Sequence, residues 1–320
     1  MSAAENLPVL RARDIHKAFR RDTGEVVRAL DGVSLDVGHA TLAALVGPDG
    51  AGKTTLLRLA AGLMPADAGE LKVLGVDVAV DPQQVQERIG YMPQKFGLYE
   101  DLSVQHNLDL YADMHGVPAE IRRERYPRLL EMTALGPFLD RLAGRLSGGM
   151  KQKLGLVCAL IHTPRVLLLD EPTNGVDPVS RREFWGMLYS LAGQGVTILN
   201  STAYLDEAER CNRLALLNKG RLLLCDEPER LKATMPGAVL SIVSREARDL
   251  RNALRHAPGV AGTVLVGDAL HVFVDDGPHR LAEITRRLDA AGIEYQEATQ
   301  VPPSIEDLFV FATTSELEAA

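Results

Sequence analysis

The sequence has few cysteines and lacks any long apolar run. Its three cysteines, Cys158, Cys211 and Cys225, form no CxxC pair, and each lies inside an apolar stretch. This is typical of buried thiols in a reducing compartment rather than of disulfides or a metal site. Apolar stretches such as 42–46 and 166–169 are far shorter than the roughly 18 residues that a membrane-spanning helix needs. Any role at a membrane is therefore expected to be peripheral.

Positive charge is also scarce. The chain carries 35 Lys and Arg against 43 Asp and Glu, a formal net charge of -8. It thus lacks the broad basic surface that neutralises a nucleic-acid backbone, and nucleic acid is not expected as a partner. The start, MSAAENLPVLRARD, has no basic segment leading into an apolar one, so we expect no signal peptide and a cytoplasmic location. With 320 residues, 46% of them hydrophobic, we expect one large and one small domain.

The order of apolar segments predicts an α/β fold. Residues 9–46 contain short alternating or apolar runs broken by Gly and Asp, which indicates a strand-rich start. Strand candidates at 42–46, 166–170, 196–200 and 214–217 then alternate with helical stretches. This is the pattern of a mostly parallel sheet with crossover connections. Between them, Ser103 can cap one helical stretch, Pro118 can open a second as its first residue, and Ser147 precedes a third. This predicts a helical insertion over about 95–161.

The last part of the chain predicts a separate small domain. A boundary near 228–237 is followed by strand 238–243, helix 245–256, strands 261–266 and 269–274, helix 278–291 and strand 293–298. Gly267-Asp268 between the middle strands is a tight-hairpin signal. The βαββαβ order matches the split βαβ, ferredoxin-like α+β unit.

Residues 47–54, GPDGAGKT, follow the strand 42–46 and precede a helical run. Glycines allow the backbone to wrap phosphates, so that its N–H groups and the helix N-terminus face the negative charge. Lys53 adds a cation, and the Thr54 hydroxyl can ligate Mg²⁺. The residues expected to bind ATP in this loop are Gly47, Pro48, Asp49, Gly50, Ala51, Gly52, Lys53, Thr54 and Thr55.

A second apolar strand, 166–169, ends in Asp170 and Glu171. Such a strand delivers both carboxylates to its C-terminal edge, where ligands bind in open α/β sheets. We expect Asp170 to hold Mg²⁺ and Glu171 to polarise the water that attacks the γ-phosphate. Alone, a strand that ends in Asp-Glu is common; together with the phosphate loop it indicates an NTPase.

Residues 146–150, LSGGM, lie ahead of this strand and resemble the signature of ATP-binding-cassette (ABC) ATPases. The resemblance implies a phosphate-loop core over 1–230 with an antiparallel β subdomain and the helical insertion, followed by an accessory domain over 231–320. It also implies that Ser147, Gly148 and Gly149 contact the γ-phosphate of ATP held by a second ATPase subunit. The usual final Gln is Met150 here, which weakens the match slightly.

Other residues match the family in order. Gln94 matches the loop glutamine that senses the γ-phosphate and Mg²⁺. Phe19 matches the aromatic that stacks on adenine, although an amphipathic strand often buries a Phe. Asp177, in 174–177, matches the residue that crosses the dimer interface, and Pro178 is expected to begin the next helix.

One position departs from the family pattern. After the strand 196–200 the family usually has Ser-Thr-His, but this chain has Ser201-Thr202-Ala203. The resemblance assigns to that His a contact with the γ-phosphate and the attacking water, and alanine offers no donor. Either the site has naturally low activity or the residue is an engineered substitution.

The resemblance covers 9–227 strongly and extends to multidrug-exporter ATPases of bacteria through the tail 238–312. It implies an ATPase on the cytoplasmic face of the membrane that uses ATP and Mg²⁺, pairs with a second cassette as a homo- or heterodimer, and drives a separate permease. A soluble ABC ATPase of DNA repair or translation is an alternative, but such proteins usually carry a long coiled coil or two fused cassettes. A nucleotide-sensing regulatory subunit with little turnover is a second alternative, which Ala203 favours.

Overall fold

A computed structural model describes residues 7–95, 97–255 and 257–319. The chain forms two compact units, one ending at Cys225 and the other beginning at Asp226. The predicted boundary after residue 230 therefore falls inside the second unit. Residues 1–6, on which the signal-peptide expectation partly depends, and the end of the predicted helix 245–256 lie outside the described residues. Among the described helices, none is both long and apolar enough to cross a membrane.

The first unit begins with an antiparallel sheet in the order β2-β1-β4-β5. Its strands are β1 (Leu10–Arg20), β2 (Val26–Val37), β4 (Ala68–Val73) and β5 (Val76–Asp77). Alternate residues of β1, including Leu10 and Ala12, are buried in the main core. The period-two pattern of the sequence therefore places one face of this sheet on the core.

The central sheet has the order β10-β9-β3-β8-β7-β6, and its neighbours from β9 to β6 are parallel. Its strands are β3 (Leu42–Val46), β6 (Ile89–Met92), β7 (Val166–Asp170), β8 (Thr197–Thr202), β9 (Arg213–Asn218) and β10 (Arg221–Asp226). The associated helices are α1 (Lys53–Ala60), α2 (Pro82–Gln86), α6 (Pro178–Gly193) and α7 (Leu205–Ala208). Every residue of β3 and β7 is buried, as expected for parallel strands covered on both faces. The carboxyl ends of β3, β7 and β8 thus share one edge, where ligands bind in such sheets.

The predicted helical insertion lies between β6 and β7. It contains α3 (Val104–Met114), α4 (Ala119–Thr133) and α5 (Gly148–Leu160), with short 3-10 turns at Gly136–Phe138 and Ala143–Arg145. The predicted starts at Ser103 and Ser147 are confirmed, because these residues cap α3 and α5. Pro118 lies one position before α4 instead of opening it. Apolar side chains of α3 and α5 form a core of their own.

The second unit follows the predicted βαββαβ order after a short helix. Its elements are α8 (Pro228–Ala233), β11 (Ala238–Val243), α9 (Ala247–Leu254), β12 (Val260–Val266), β13 (Ala269–Val274), α10 (Gly277–Ala291), β14 (Glu297–Val301) and α11 (Ile305–Ala319). The strands are antiparallel in the order β12-β13-β11-β14. The predicted last strand, 293–298, begins too early, because Ile293 and Tyr295 pack on the core from a loop. Its ferredoxin-like classification remains a prediction.

Candidate nucleotide site

The segment 47–54 joins β3 to α1, as the sequence predicts: residues 47–52 form the loop, and Lys53 and Thr54 begin the helix. Gly52 precedes α1 with φ 107°, and a Cβ there would lie 2.5 Å from the carbonyl oxygen of Ala29 in β2. A Cβ on Gly47 would collide with the carbonyl oxygen of Leu217 in β9. Glycine is therefore required at both positions by close backbone approach as well as by conformation.

Lys53, the first residue of α1, is held by buried acceptors. Its side chain is 4% exposed, and its ammonium group donates to the carbonyl oxygens of Gly47 (2.7 Å) and Pro48 (3.2 Å). The same ammonium lies 3.2 Å from Oε1 of Glu171, which is 7% exposed. The predicted phosphate-binding cation and the predicted base thus form a buried ion pair.

Asp170 ends β7 and is completely buried. Its Oδ1 accepts hydrogen bonds from the hydroxyls of Ser201 (2.8 Å) and Thr54 (3.0 Å). Burial raises the pKa of Asp170, because a carboxylate loses hydration there, and the two hydroxyl donors oppose this. Its Oδ2 is buried and has no hydrogen-bond partner among the described residues. A carboxylate with one unpaired oxygen beside a hydroxyl matches the hard oxygen ligands that Mg²⁺ prefers, so these residues fit the predicted ion.

Gln94 lies in the same site as Lys53 and Asp170, because it is hydrogen-bonded to Glu171. Oε2 of Glu171 accepts from Nε2 of Gln94 at 2.8 Å and from Nδ2 of Asn174 at 3.2 Å. The Glu171 backbone has φ 50°, a left-handed conformation that is uncommon for a residue other than glycine. Its N–H donates to the Ser201 hydroxyl (3.0 Å). Backbone strain that surrounding contacts hold in place is frequent at functional sites.

Ser201 and Asn174 were not predicted as site residues. Ser201 contacts both carboxylate-bearing residues, because β7 and β8 are parallel and Asp170 pairs with Ser201. Two features of the sequence could have identified Ser201. It comes near the end of an apolar strand, as Asp170 does, and it matches the first residue of the family's Ser-Thr-His.

The residues predicted to form the signature, 147–149, lie beside Asp177, the dimer-loop residue, which the sequence predicts to cross a dimer interface. Ser147 accepts from the N–H of Met150 (3.3 Å) at the start of α5. A Cβ on Gly149 would lie 2.5 Å from Cβ of Ser180 in α6. Asp177 caps α6 by accepting from the N–H of Ser180 (3.0 Å), and this contact lowers the pKa of Asp177. Residues 147–149 and Asp177 are thus neighbours, connected through Ser180.

The two remaining predicted residues are exposed. Phe19 is 42% exposed in β1 and pairs with Val27 of β2. Lys17 Nζ lies 5.6 Å from the centre of the Phe19 ring. Ala203 is exposed just after β8. The next residue, Tyr204, has its ring 4.3 Å from the guanidinium of Arg181.

A groove of about 770 Å³ separates α2 from the helical insertion. Gln83 and Gln86 line its core side, whereas Met114 and His115 line the other. The rings of His115 and His162 stack in it at 3.8 Å with an interplanar angle of 8°. Burial, and next the charge of His115, lower the pKa of His162 to about 4. Burial also lowers the pKa of His115, so burial favours the neutral form of both stacked rings.

Known proteins resemble this chain over most of its length. A family model described as ABC transporter matches residues 30–174. The probable multidrug ABC transporter ATP-binding protein YbhF of Escherichia coli (strain K12) is 44% identical over 95% of this chain, which spans 52% of the length of YbhF. The chain therefore covers about half of that relative. The daunorubicin resistance ATP-binding protein DrrA3 of Streptomyces coeruleorubidus is 37% identical over 89% of this chain and 91% of its own length.

Solved structures agree. The ATP-binding subunit of an ABC transporter is 29% identical and covers 70% of this chain and 92% of its own, with a TM-score of 0.63. The dimeric cassette MJ0796 bound to ADP and Pi is 24% identical over 68% of this chain and 98% of its own, also with a TM-score of 0.63, and this likeness concerns the fold. Together with the identity to DrrA3 across nearly the whole of both chains, these findings place the chain in the ABC transporter family, among its ATP-binding proteins.

Proposed function

We propose that this chain binds and hydrolyses ATP as the motor subunit of an exporter, in which ATP-driven dimer closure powers a separate membrane permease. One observation carries the proposal. Lys53 follows the end of β3, and Asp170 and Glu171 lie at the end of β7, so the three residues meet at one edge of the sheet. Gln94 donates a hydrogen bond to the Glu171 carboxylate. This set combines a cation for phosphate, a carboxylate for the metal and a base. Lys53 forms an ion pair with Glu171, and the Ser201 hydroxyl links Asp170 to the Glu171 backbone.

The chain's own residues divide the chemistry. Lys53 and the N–H groups of the loop hold the β- and γ-phosphates. When bound, Mg²⁺ would be held by Thr54 and Asp170, with Gln94 close by, and would neutralise phosphate charge. Glu171 accepts the proton of the attacking water, and its freedom to do so requires that Lys53 exchange the carboxylate for phosphate.

A second cassette, from another ATPase subunit, completes the nucleotide site. Ser147, Gly148 and Gly149 lie at the N-terminus of α5, beside Asp177, and a helix N-terminus attracts anions. We propose that this surface covers the γ-phosphate held by a second ATPase subunit, identical or different. The adenine of the first subunit stacks on the exposed ring of Phe19.

The permease docks in the groove between α2 and the helical insertion. A cytoplasmic helix of the permease is the occupant. His162, which lines the groove, is hydrogen-bonded to the carbonyl oxygen of Ile89 (2.9 Å) in β6, the strand that leads to Gln94. Drug or small-molecule efflux is the proposed transport, supported by relatives named for multidrug transport, daunorubicin resistance and Nod factor export. The chain then works on the cytoplasmic face of the membrane.

Ala203 favours a second candidate, a nucleotide-sensing subunit with little turnover. Its methyl side chain offers no hydrogen-bond donor to the γ-phosphate or the attacking water. Under this candidate, MgATP binding and dimer closure persist while steady-state hydrolysis is negligible. Turnover of the purified protein separates the two candidates.

Lys53→Ala tests the site. We expect it to weaken MgATP binding and to abolish hydrolysis, because no other loop residue replaces the ammonium, while Lys72→Ala, which removes an exposed lysine of β4, leaves both unchanged. Calorimetric titration with MgATP and phosphate release measure the two quantities. Unchanged ATP affinity in Lys53→Ala would refute the assignment.

Dimer closure and the permease have separate tests. Glu171→Gln preserves the side-chain shape but removes the base, so MgATP should trap a dimer whose doubled mass appears in light scattering. A strict monomer at saturating ATP would show that closure needs a different ATPase partner. Co-purification with a membrane protein of several spans, lost on replacing Met114 with Glu in the groove, tests the docking proposal.

A further inference from the structure

Glu207 is a buried carboxylate that no motif of the sequence singles out. It lies in α7 and is 1% exposed. Its Oε1 accepts a hydrogen bond from the Thr173 hydroxyl and its Oε2 from the Thr202 hydroxyl, both at 2.7 Å. Burying a carboxylate is costly unless partners satisfy it, and here both oxygens have donors.

Arg181 supplies the charge near Glu207. Its Nε lies 3.6 Å from Oε1 of Glu207. Its guanidinium packs over the Tyr204 ring at 4.3 Å, and the N–H of Tyr204 donates to the Thr202 hydroxyl (3.0 Å). Glu207, Arg181, Thr202 and Tyr204 therefore form a closed ring of contacts around the loop that contains Ala203.

Each partner of Glu207 stands next to a proposed site residue. Thr173 follows Glu171 by two positions, and Thr202 directly precedes Ala203. Arg181 lies in the first turn of α6, the helix that Asp177 caps. One side chain thus joins the segments that bear the base, the residue at 203 and the dimer-loop residue.

Thr202 transmits this arrangement to the loop at 203. Its hydroxyl donates to Glu207 and accepts from Tyr204, so the backbone on both sides of Ala203 is anchored. The side chain at 203 cannot anchor the loop through a polar contact. The position of the loop relative to Glu171 therefore depends on Glu207.

The cost of burying the Glu207 carboxylate also indicates that it positions other groups. In the described residues, the recorded charged partner of the buried Glu207 carboxylate is Arg181, at 3.6 Å. Such a pair contributes little net stability, since desolvation offsets much of the attraction. Apolar side chains would fill the space at lower cost. The carboxylate instead holds two hydroxyls in fixed orientations, and displacing a reacting group by about 1 Å can lower turnover roughly 100-fold.

We infer that Glu207 is a positioning residue for ATP hydrolysis, which holds the segments after Glu171, at Ala203 and at the start of α6 in one arrangement. The inference rests on the proposed function. Glu207 acts through Thr173 and Thr202 and does not itself contact ATP. It should therefore govern turnover and leave nucleotide affinity nearly untouched.

Glu207→Gln tests this with the side-chain shape retained. The amide has one acceptor oxygen where the carboxylate has two, so one threonine hydroxyl must turn. We expect kcat to fall roughly 10- to 100-fold, with the Kd for MgATP within about 3-fold of the native value. Asp206→Asn, an exposed neighbour in α7, is the matched control and should change neither. Thermal unfolding reports whether Glu207→Gln is folded.

Thr202→Val separates positioning from a merely structural role. It removes the hydroxyl that links Glu207 to the loop at 203 while keeping a branched side chain. We expect a similar fall in kcat, and the double variant Glu207→Gln/Thr202→Val should lose little more than the worse single variant, because both act on one contact. This test also holds if Glu207→Gln proves unstable.

The outcomes are distinguishable. Native turnover no higher than that of Lys53→Ala would refute the proposed function and this inference with it. Native turnover well above Lys53→Ala, with kcat unchanged in Glu207→Gln and Thr202→Val, would refute this inference alone. A parallel loss of kcat and ATP affinity would also overturn it, since Glu207 would then serve nucleotide binding.

Discussion

Replacing Glu171 with Gln should destabilise the nucleotide-free protein and enlarge its response to ATP. Lys53 and Glu171 are 4% and 7% exposed and lie 3.2 Å apart, so the substitution leaves a buried ammonium without its countercharge. Breaking a buried pair in this way typically costs about 3–5 kcal/mol. Lys53 keeps the carbonyl oxygens of Gly47 and Pro48, so we expect a smaller loss, about 1–3 kcal/mol.

The loss should appear as a lower melting temperature. In a unit of this size, 1 kcal/mol corresponds to about 2–4 °C, so the nucleotide-free variant should melt about 2–12 °C below the native chain. Phosphate then supplies the missing negative charge to Lys53. The rise in Tm on adding a non-hydrolysable ATP analogue should therefore be larger in Glu171→Gln than in the native chain.

The analogue removes a competing explanation, because neither protein can hydrolyse it and blocked turnover cannot account for the difference. Glu183→Gln is the control, since it removes the charge of a surface pair with Lys153. Such a pair contributes at most about 1 kcal/mol, so Tm should change by no more than about 2–4 °C. Scanning calorimetry of the whole chain, followed at the transition of the first unit, measures all of these melting temperatures. Equal melting temperatures for nucleotide-free Glu171→Gln and native protein, with equal shifts on adding the analogue, would refute the reasoning.

Other predictions concern position 203, the second unit and the signature. Ala203→His should raise turnover by roughly one to three orders of magnitude with little change in ATP affinity. If native turnover is fast and His does not raise it, another residue, with Tyr204 the nearest, contacts the γ-phosphate and the attacking water. Ending the chain after Asp226 should preserve ATP binding, and an insoluble product would show that the units are interdependent. Gly149→Ala should lower the free energy of unfolding by about 1–3 kcal/mol through overpacking against Ser180. Adding Ser180→Gly to this variant should recover the loss, as measured by denaturant unfolding.

Local patterns in the sequence were enough to predict the elements that carry the site. The loop before α1 needs glycine for backbone reasons that glycine spacing displays, and an apolar run ending in Asp170 and Glu171 predicts a strand that presents carboxylates. Ser103 and Ser147 cap α3 and α5 as predicted, because a cap depends on residues within one turn. The prediction placed the last strand too early in the chain. Ile293 and Tyr295 alternate with polar residues as in a strand, but they pack on the core from a loop.

Contacts between distant segments required the tertiary structure. Gln94 binds Glu171 across 77 positions, and Ser201 binds Asp170 across 31. Those pairs form because β6, β7 and β8 lie side by side in parallel, and strand order is absent from any local pattern. The same holds for Glu207. Its burial, its two threonine donors and its link to the loop at 203 follow from the packing of α7 against β8 and the segment after β7. The sequence by itself therefore determined which chemical groups the site contains, whereas the tertiary structure decided which of them touch, because contact depends on distance in space rather than along the chain.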